Sequence, residues 1–222
     1  MSIRGVLFDW RGTLGHDPDV ATWLRAAAQR TDRLLSDDDL AAIEAKLNES
    51  YELPHLAERF PTADISADAH RSVMLDWFAA AGLDAELAAA LYALDLDPTF
   101  QRFFPDVALT FKMLHDARVG IAIVSDIHFD LRPLFVAAEL DRFVNCYVLS
   151  YEHGFQKPDP RMFSVALDAL EITPEEALMV GDNPRRDGGA ASQGVRTLLV
   201  PPLPSFGPRG LEAVLALAGV SA

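Results

Sequence analysis

Val6-Leu7-Phe8-Asp9-Trp10-Arg11-Gly12-Thr13-Leu14 decides how the rest of the chain is read. Val6, Leu7 and Phe8 form a short apolar run, as a buried strand does, and Gly12 marks a turn. Asp9 sits where the strand gives out. In an open parallel sheet that is the carboxyl edge, where ligands and chemistry collect. A lone Asp there is equally suited to orienting a loop. The balance shifts because Leu178-Met179-Val180-Gly181-Asp182-Asn183 repeats the pattern of a strand that ends in an acid.

Composition sets the outer bounds. The chain has 222 residues and is 50% hydrophobic, enough for a sizeable core in one domain or one domain with an insertion. A formal net charge of −14 argues against non-specific binding to nucleic acid or to an anionic membrane. The single cysteine, Cys146, has no intramolecular partner, and its apolar surroundings suit a small core residue. No apolar run approaches the ~18 residues of a membrane span. No basic segment followed by an apolar stretch opens the chain, so a soluble cytoplasmic protein is expected. Oligomeric state is not legible.

After Leu14 the pattern changes from strand to helix, and no convincing strand recurs between His16 and about Asp97. Val20, Trp23, Leu24 and Ala27 share one face of a helix expected from Asp17 to Arg30. Ser36 followed by Asp37, Asp38 and Asp39 reads as an N-cap with acids in the first turn. Ser66 and Asp84 read as further caps, and Gly82 as a stop. Several helices with no strand between them imply a separate helical subdomain, residues 16–97, set between 1–15 and 98–222. From Phe104-Pro105-Asp106 onward strands alternate with helices. Strands are expected at 119–124, 144–149, 178–180 and 197–200, and helices at 107–114, 131–138, 160–170, 187–193 and 209–218. That rhythm predicts an α/β fold, a Rossmann-like doubly wound parallel sheet with right-handed crossovers. Pro201, Pro202 and Pro204 read as a turn-rich connector.

Two further pieces join the two acids. Ile121-Ala122-Ile123-Val124-Ser125-Asp126 is a strand that runs out at a hydroxyl, and Lys157 stands in Gln156-Lys157-Pro158-Asp159-Pro160 before a helix. Asp, Ser, Lys and Asp, in that order on three strand ends and a helix start, resemble the motifs of the haloacid-dehalogenase-like hydrolase superfamily. The resemblance runs from about Ile3 to Val200. It implies hydrolysis, in most members of phosphate esters. The helical insertion after the first motif would be a cap that closes over the site, hinged near Gly15–His16 and Leu96–Pro98.

Under that resemblance Asp9 is the nucleophile, forming an acyl phosphate that splits one hard displacement into two easier ones. Ser125 would hydrogen-bond a phosphoryl oxygen, and Lys157 would hold both the phosphoryl group and Asp9. Asp182 is a hard oxygen ligand for Mg²⁺, with Asp9 and the main-chain carbonyl of Arg11 completing the protein's share. Asp187 and Asn183 would support this inner set, Asp187 by fixing Lys157 or a metal-bound water. The expected substrate is a small anionic, phosphorylated metabolite. Each residue also has a bland reading: Lys157 as a surface lysine, Asp187 as a helix N-cap, Ser125 as a strand end. Their joint order favours the functional reading.

Arg11 departs from the pattern. The superfamily's phosphatases carry an Asp there, which protonates the leaving oxygen and then activates water. Arginine, with a pKa above ~12, does neither. Arg11 is read as an anion ligand of a phosphatase, as the mark of a dehalogenase that forms an aspartyl ester on carbon, or as the sign of a silent binding protein. Its bland role is an ion pair to Asp9 or Asp182. The intact Asp182 tips the reading toward phosphoryl chemistry, since the superfamily's dehalogenases work without metal. His16, at the entry to the insertion, and His128, just past Ser125, are the candidate replacement proton carriers.

Overall fold

The computed structural model describes residues 2–16, 18–97, 99–203 and 206–221. The Asp17 start of the first expected helix, the Pro98 end of the second expected hinge, and Pro204 in the connector lie outside them. The chain divides into two units, residues 1–17 with 101–222, and residues 18–100.

The first unit is built on five parallel strands, β1 (Gly5–Phe8), β4 (Gly120–Ser125), β5 (Cys146–Leu149), β6 (Ala177–Gly181) and β7 (Arg196–Leu199), ordered β5-β4-β1-β6-β7. β1 lies in the middle because its Val6-Leu7-Phe8 run is apolar toward both faces, as a strand covered on two sides requires. Val6, Phe8, Ile121, Ile123, Leu178 and Val180 share one core with α6 (Val107–Asp116), α7 (Arg132–Ala137) and α10 (Glu212–Ala218). Leu7, Ala122, Val124 and Met179 face the other way, against Met162, Phe163 and Ala166 of α9 (Pro160–Leu170). A single turn, α8 (Ser150–His153), follows β5 directly. Phe8 is in register with Ile123 on one side and Val180 on the other, so β1, β4 and β6 deliver their following residues to one sheet edge.

Several bounds differ from the periodicity. The helix expected at 209–218 begins at Glu212, because the Asp106 carboxylate takes the amides of Arg209, Gly210 and Leu211. The turn at Asp187–Gln193 is 3₁₀ rather than α. A two-stranded antiparallel ribbon, β2 (Gly15–His16) with β3 (Arg102–Phe103), was not legible in so few residues.

The second unit is helical: α1 (Val20–Arg30), α2 (Asp37–Tyr51), α3 (Pro54–Ala57), α4 (Ala67–Ala80) and α5 (Ala85–Asp95), with a 3₁₀ stretch at Phe60–Ile65. Asp19, Ser36, Ser66 and Asp84 cap α1, α2, α4 and α5 through side-chain oxygens. Leu24, Leu47, Leu56, Phe78 and Leu91 form its separate core. The indoles of Trp23 and Trp77 cross it, donating to the carbonyls of Leu91 and Leu47.

Candidate active site

Three strand ends and one loop build the site. Asp9 follows β1, its amide donating to the Val180 carbonyl at 2.9 Å, which pins the residue to the neighbouring strand. The loop beyond it closes tightly. Gly12 donates to the Gly15 carbonyl at 2.8 Å, and Leu14 and Gly15 donate to the Trp10 carbonyl at 2.9 and 2.8 Å. Gly12 adopts φ +72°, and a Cβ there would lie 2.1 Å from an Asp182 oxygen, so only glycine brings the loop this near Asp182. Trp10 is fully buried and packs edge-on against Phe103, a structural role.

Lys157 is only 2% exposed. Its ammonium donates to Asp9 Oδ1 at 2.7 Å and to Asp187 Oδ1 at 2.5 Å. The lysine is therefore not on the surface, and Asp187 is not a helix cap. The second Asp187 oxygen accepts from the Asn183 amide at 2.9 Å, folding the turn after β6 back onto the lysine. Gly181 permits this, because a Cβ there would fall 2.2 Å from the Asp187 carboxylate. Asn183 secures the same turn, its side-chain oxygen accepting from the amides of Arg185 and Arg186. Ser125 is buried at the end of β4.

Asp126 is a residue the sequence reading passed over. One of its oxygens accepts from the Lys157 amide at 2.8 Å and the other from Arg186 Nη1 at 3.2 Å. Its signal was available, since it is a third acid at a strand end. His16 lies in β2 with its ring edge-on to Phe104 and Phe206. His128 is buried, with Phe129 against its ring. Arg11 is half-buried, bridged through its main chain to Gly15.

The electrostatics follow from the count of charges. Burial opposes the Lys157 charge, but Asp9, Asp187 and Asp126 outweigh it and hold the ammonium well above its usual range. Lys157 is bonded to two carboxylates, Asp9 and Asp187, and one ammonium cannot neutralise both. Burial accordingly pushes the Asp9 carboxyl up to about 7, with Lys157 drawing it back and Asp187 adding to the rise. Asp9, Asp182 and Asp187 each offer a carboxylate oxygen, and these lie within 4.8 Å of one another. Surplus negative charge and an all-oxygen donor set fit a hard divalent cation. Among the described residues no helix is long and apolar enough to cross a membrane.

Comparison with known proteins places this arrangement. The chain is 47% identical over 70 residues to the phosphoserine phosphatase of Thermus thermophilus, covering 31% of this chain and 28% of that one. It is 32% identical over 111 residues to (S)-2-haloacid dehalogenase 4A of Burkholderia cepacia, covering 47% of this chain and 48% of that one. The matched stretches thus span less than half the length of either relative. The structure of the HAD-hydrolase YfnB of Bacillus subtilis, described as bound to magnesium, superposes with a TM-score of 0.72 at 19% identity, over 99% of this chain and 100% of that one. Residues 3–194, most of the chain, match the family model of the haloacid dehalogenase-like hydrolases, and the protein belongs to that family of hydrolases.

Proposed function

We propose that the protein hydrolyses a phosphate ester of a small metabolite through an aspartyl-phosphate on Asp9, with Mg²⁺ as cofactor. The convergence of Asp9, Asp182 and Asp187, with a buried ammonium bonded to Asp9 and Asp187, carries this reading. Mg²⁺, held by Asp9, Asp182 and the main-chain carbonyl of Arg11, would neutralise the charge that phosphoryl transfer spreads over the equatorial oxygens.

The chain's own groups do the rest. An Asp9 oxygen bonds to phosphorus as the ester P–O bond breaks, and the leaving oxygen departs with the electron pair. Water then attacks the acyl phosphate, freeing phosphate and restoring Asp9. Lys157 holds the Asp9 carboxylate in place and lends its charge to the phosphoryl group. Asp187 and Asp126 fix Lys157 in turn. Ser125 donates to a phosphoryl oxygen. Arg11 gives no proton to the leaving group, so His16 and His128 are the proposed carriers. The helical unit, residues 18–100, acts as a cap that selects the ester.

Two observations support a second reading, carbon–halogen hydrolysis: Arg11 stands two residues past the nucleophile, and the chain matches a 2-haloacid dehalogenase. Asp9 then forms an ester with carbon, and halide leaves without a proton. One screen separates the two. The wild type is assayed on 4-nitrophenyl phosphate, a panel of phosphorylated metabolites and short 2-haloacids, each with and without Mg²⁺. Phosphate release that requires Mg²⁺ is expected. Halide release that ignores Mg²⁺, with no phosphate release, would replace the first reading with the second.

A further inference from the structure

The family match ends at residue 194, yet the chain beyond it returns to the nucleophile loop. Arg209 makes the return. The residue is 4% exposed. Its Nε donates to the Gly12 carbonyl at 2.6 Å and its Nη2 to the Val200 carbonyl at 3.2 Å, while Nη1 donates to that of Pro201. Among the described residues the hydrogen-bond partners of its guanidinium are main-chain carbonyls. The negative charges of Asp182 and Asp106 favour the guanidinium, while its hydrogen bonds go to backbone. The fork is thus spent on orienting main chain beside Asp182.

The arginine is itself anchored. Asp106 accepts from the amides of Arg209 and Gly210 at 2.8 Å and of Leu211 at 3.0 Å. The Phe104 ring lies 5.6 Å from the guanidinium carbon. Phe206 stacks on Phe104, and Arg102 lies over Phe206 at 4.2 Å. The 206–211 segment is thus fastened on one side to the start of α6 and on the other to the loop that carries Asp9. Gly12 is the point of attachment, and it is also where the loop lies against the Asp182 carboxylate. A planar fork bonded to three carbonyls fixes them relative to one another in a way that a lysine's single rotating ammonium does not.

We infer that Arg209 is a positioning residue: by holding the Gly12 carbonyl it sets the Asp9 loop against Asp182, which makes the segment beyond the family match part of the hydrolytic site. The inference rests on Asp9 and Asp182 as the reacting centre, but its test does not depend on the substrate. Arg209→Met keeps an unbranched apolar stem and removes the donors, and Arg209→Lys keeps the charge. Leu215→Ala, which empties a core position of α10 and leaves the Arg209 donors in place, serves as a control for lost stability.

Hydrogen exchange is followed without metal at the amides of Gly12, Leu14 and Gly15, and steady-state kinetics are measured with 4-nitrophenyl phosphate and Mg²⁺. In Arg209→Met the three amides should exchange at least ~10-fold faster than in Leu215→Ala, those of β1 staying unchanged. The value of kcat should fall at least ~10-fold with KM within ~3-fold, since misplacement by an ångström is worth up to ~10²-fold. Arg209→Lys should fall between, and it carries the test if Arg209→Met does not fold. Loop exchange equal to that of Leu215→Ala would overturn the inference whatever the substrate proves to be. Faster loop exchange beside a wild type that releases no phosphate would uphold Arg209 as the anchor and sink the phosphatase reading alone.

Discussion

The Lys157 ammonium lies 2.7 Å from the Asp9 carboxylate, and both groups are buried. Asp187, wholly buried, takes a second bond from the same nitrogen at 2.5 Å. Removing the lysine therefore strands two carboxylates at once. Breaking a buried ion pair from one side costs about 3–5 kcal/mol. Lys157→Met should lose that much stability in urea unfolding, and Lys157→Met/Asp187→Asn should regain part of it. A loss under ~1 kcal/mol, the range of an exposed pair, would mean that the lysine is not the centre of this cluster.

How far the site was legible depends on how local its signals are. Val6-Leu7-Phe8 and Leu178-Met179-Val180 read as strands because a strand covered on both faces leaves an unbroken apolar run. Asp9 and Asp182 were legible as the polar residues that end those runs. Asp187 admitted two compatible readings, cap and support, and its spacing could not show which it fills. The choice needed the fold to bring Lys157 within 2.5 Å. Asp126 was in view but overshadowed by Ser125 before it. Arg209 had no local signal at all: its partner Gly12 is 197 residues away, and nothing near Arg209 encodes that meeting.

Asp182 stands at the exposed side of the carboxylate cluster, with Asp9 and Asp187 beyond it. A cation that binds only the folded state stabilises it, by about 2.7 kcal/mol at a hundredfold excess over its dissociation constant. Millimolar Mg²⁺ should therefore raise the Tm of the wild type, and Asp182→Asn should abolish the rise. An unmoved wild type would argue against the metal and for carbon–halogen chemistry.

In the helical unit Arg33 bonds both Asp84, at 2.5 Å, and Glu86, at 2.8 Å, and Asp84 also caps α5. The Arg33 guanidinium, aided by the Leu87 and Glu86 amides, holds the Asp84 carboxyl down at about 2. A carboxyl lowered by folding stabilises the folded state above its unfolded value of about 3.9 and loses that effect as pH falls through the folded value. Asp84→Asn keeps a capping oxygen but not the charge. It should lower Tm slightly at pH 7, and the difference should shrink below pH ~4 and vanish near pH ~2. A difference independent of pH would assign the effect to the cap alone.

Arg11 marks where the chain breaks its own pattern, two residues past Asp9 on the loop that Gly12 holds against Asp182. If the site lacks only a general acid–base, Asp9 still attacks esters with an easy leaving group, because nitrophenolate departs without a proton. Hydrolysis of the aspartyl-phosphate should then be slow, with no carboxylate to activate water. General acid–base assistance is typically worth ~10²–10⁴-fold. Arg11→Asp should therefore raise steady-state hydrolysis of 4-nitrophenyl phosphate at least ~10-fold, a cautious fraction of that range. Asp9→Asn should abolish activity in both backgrounds, since neither histidine nor the introduced carboxylate replaces the nucleophile. If Arg11 instead grips the natural ester, Arg11→Asp should gain little on 4-nitrophenyl phosphate and lose the native reaction. If the protein turns over 2-haloacids, halide release should fall in Arg11→Asp while phosphate release stays at background, and the role of Arg11 would then lie with the carbon-bound halide rather than with phosphorus.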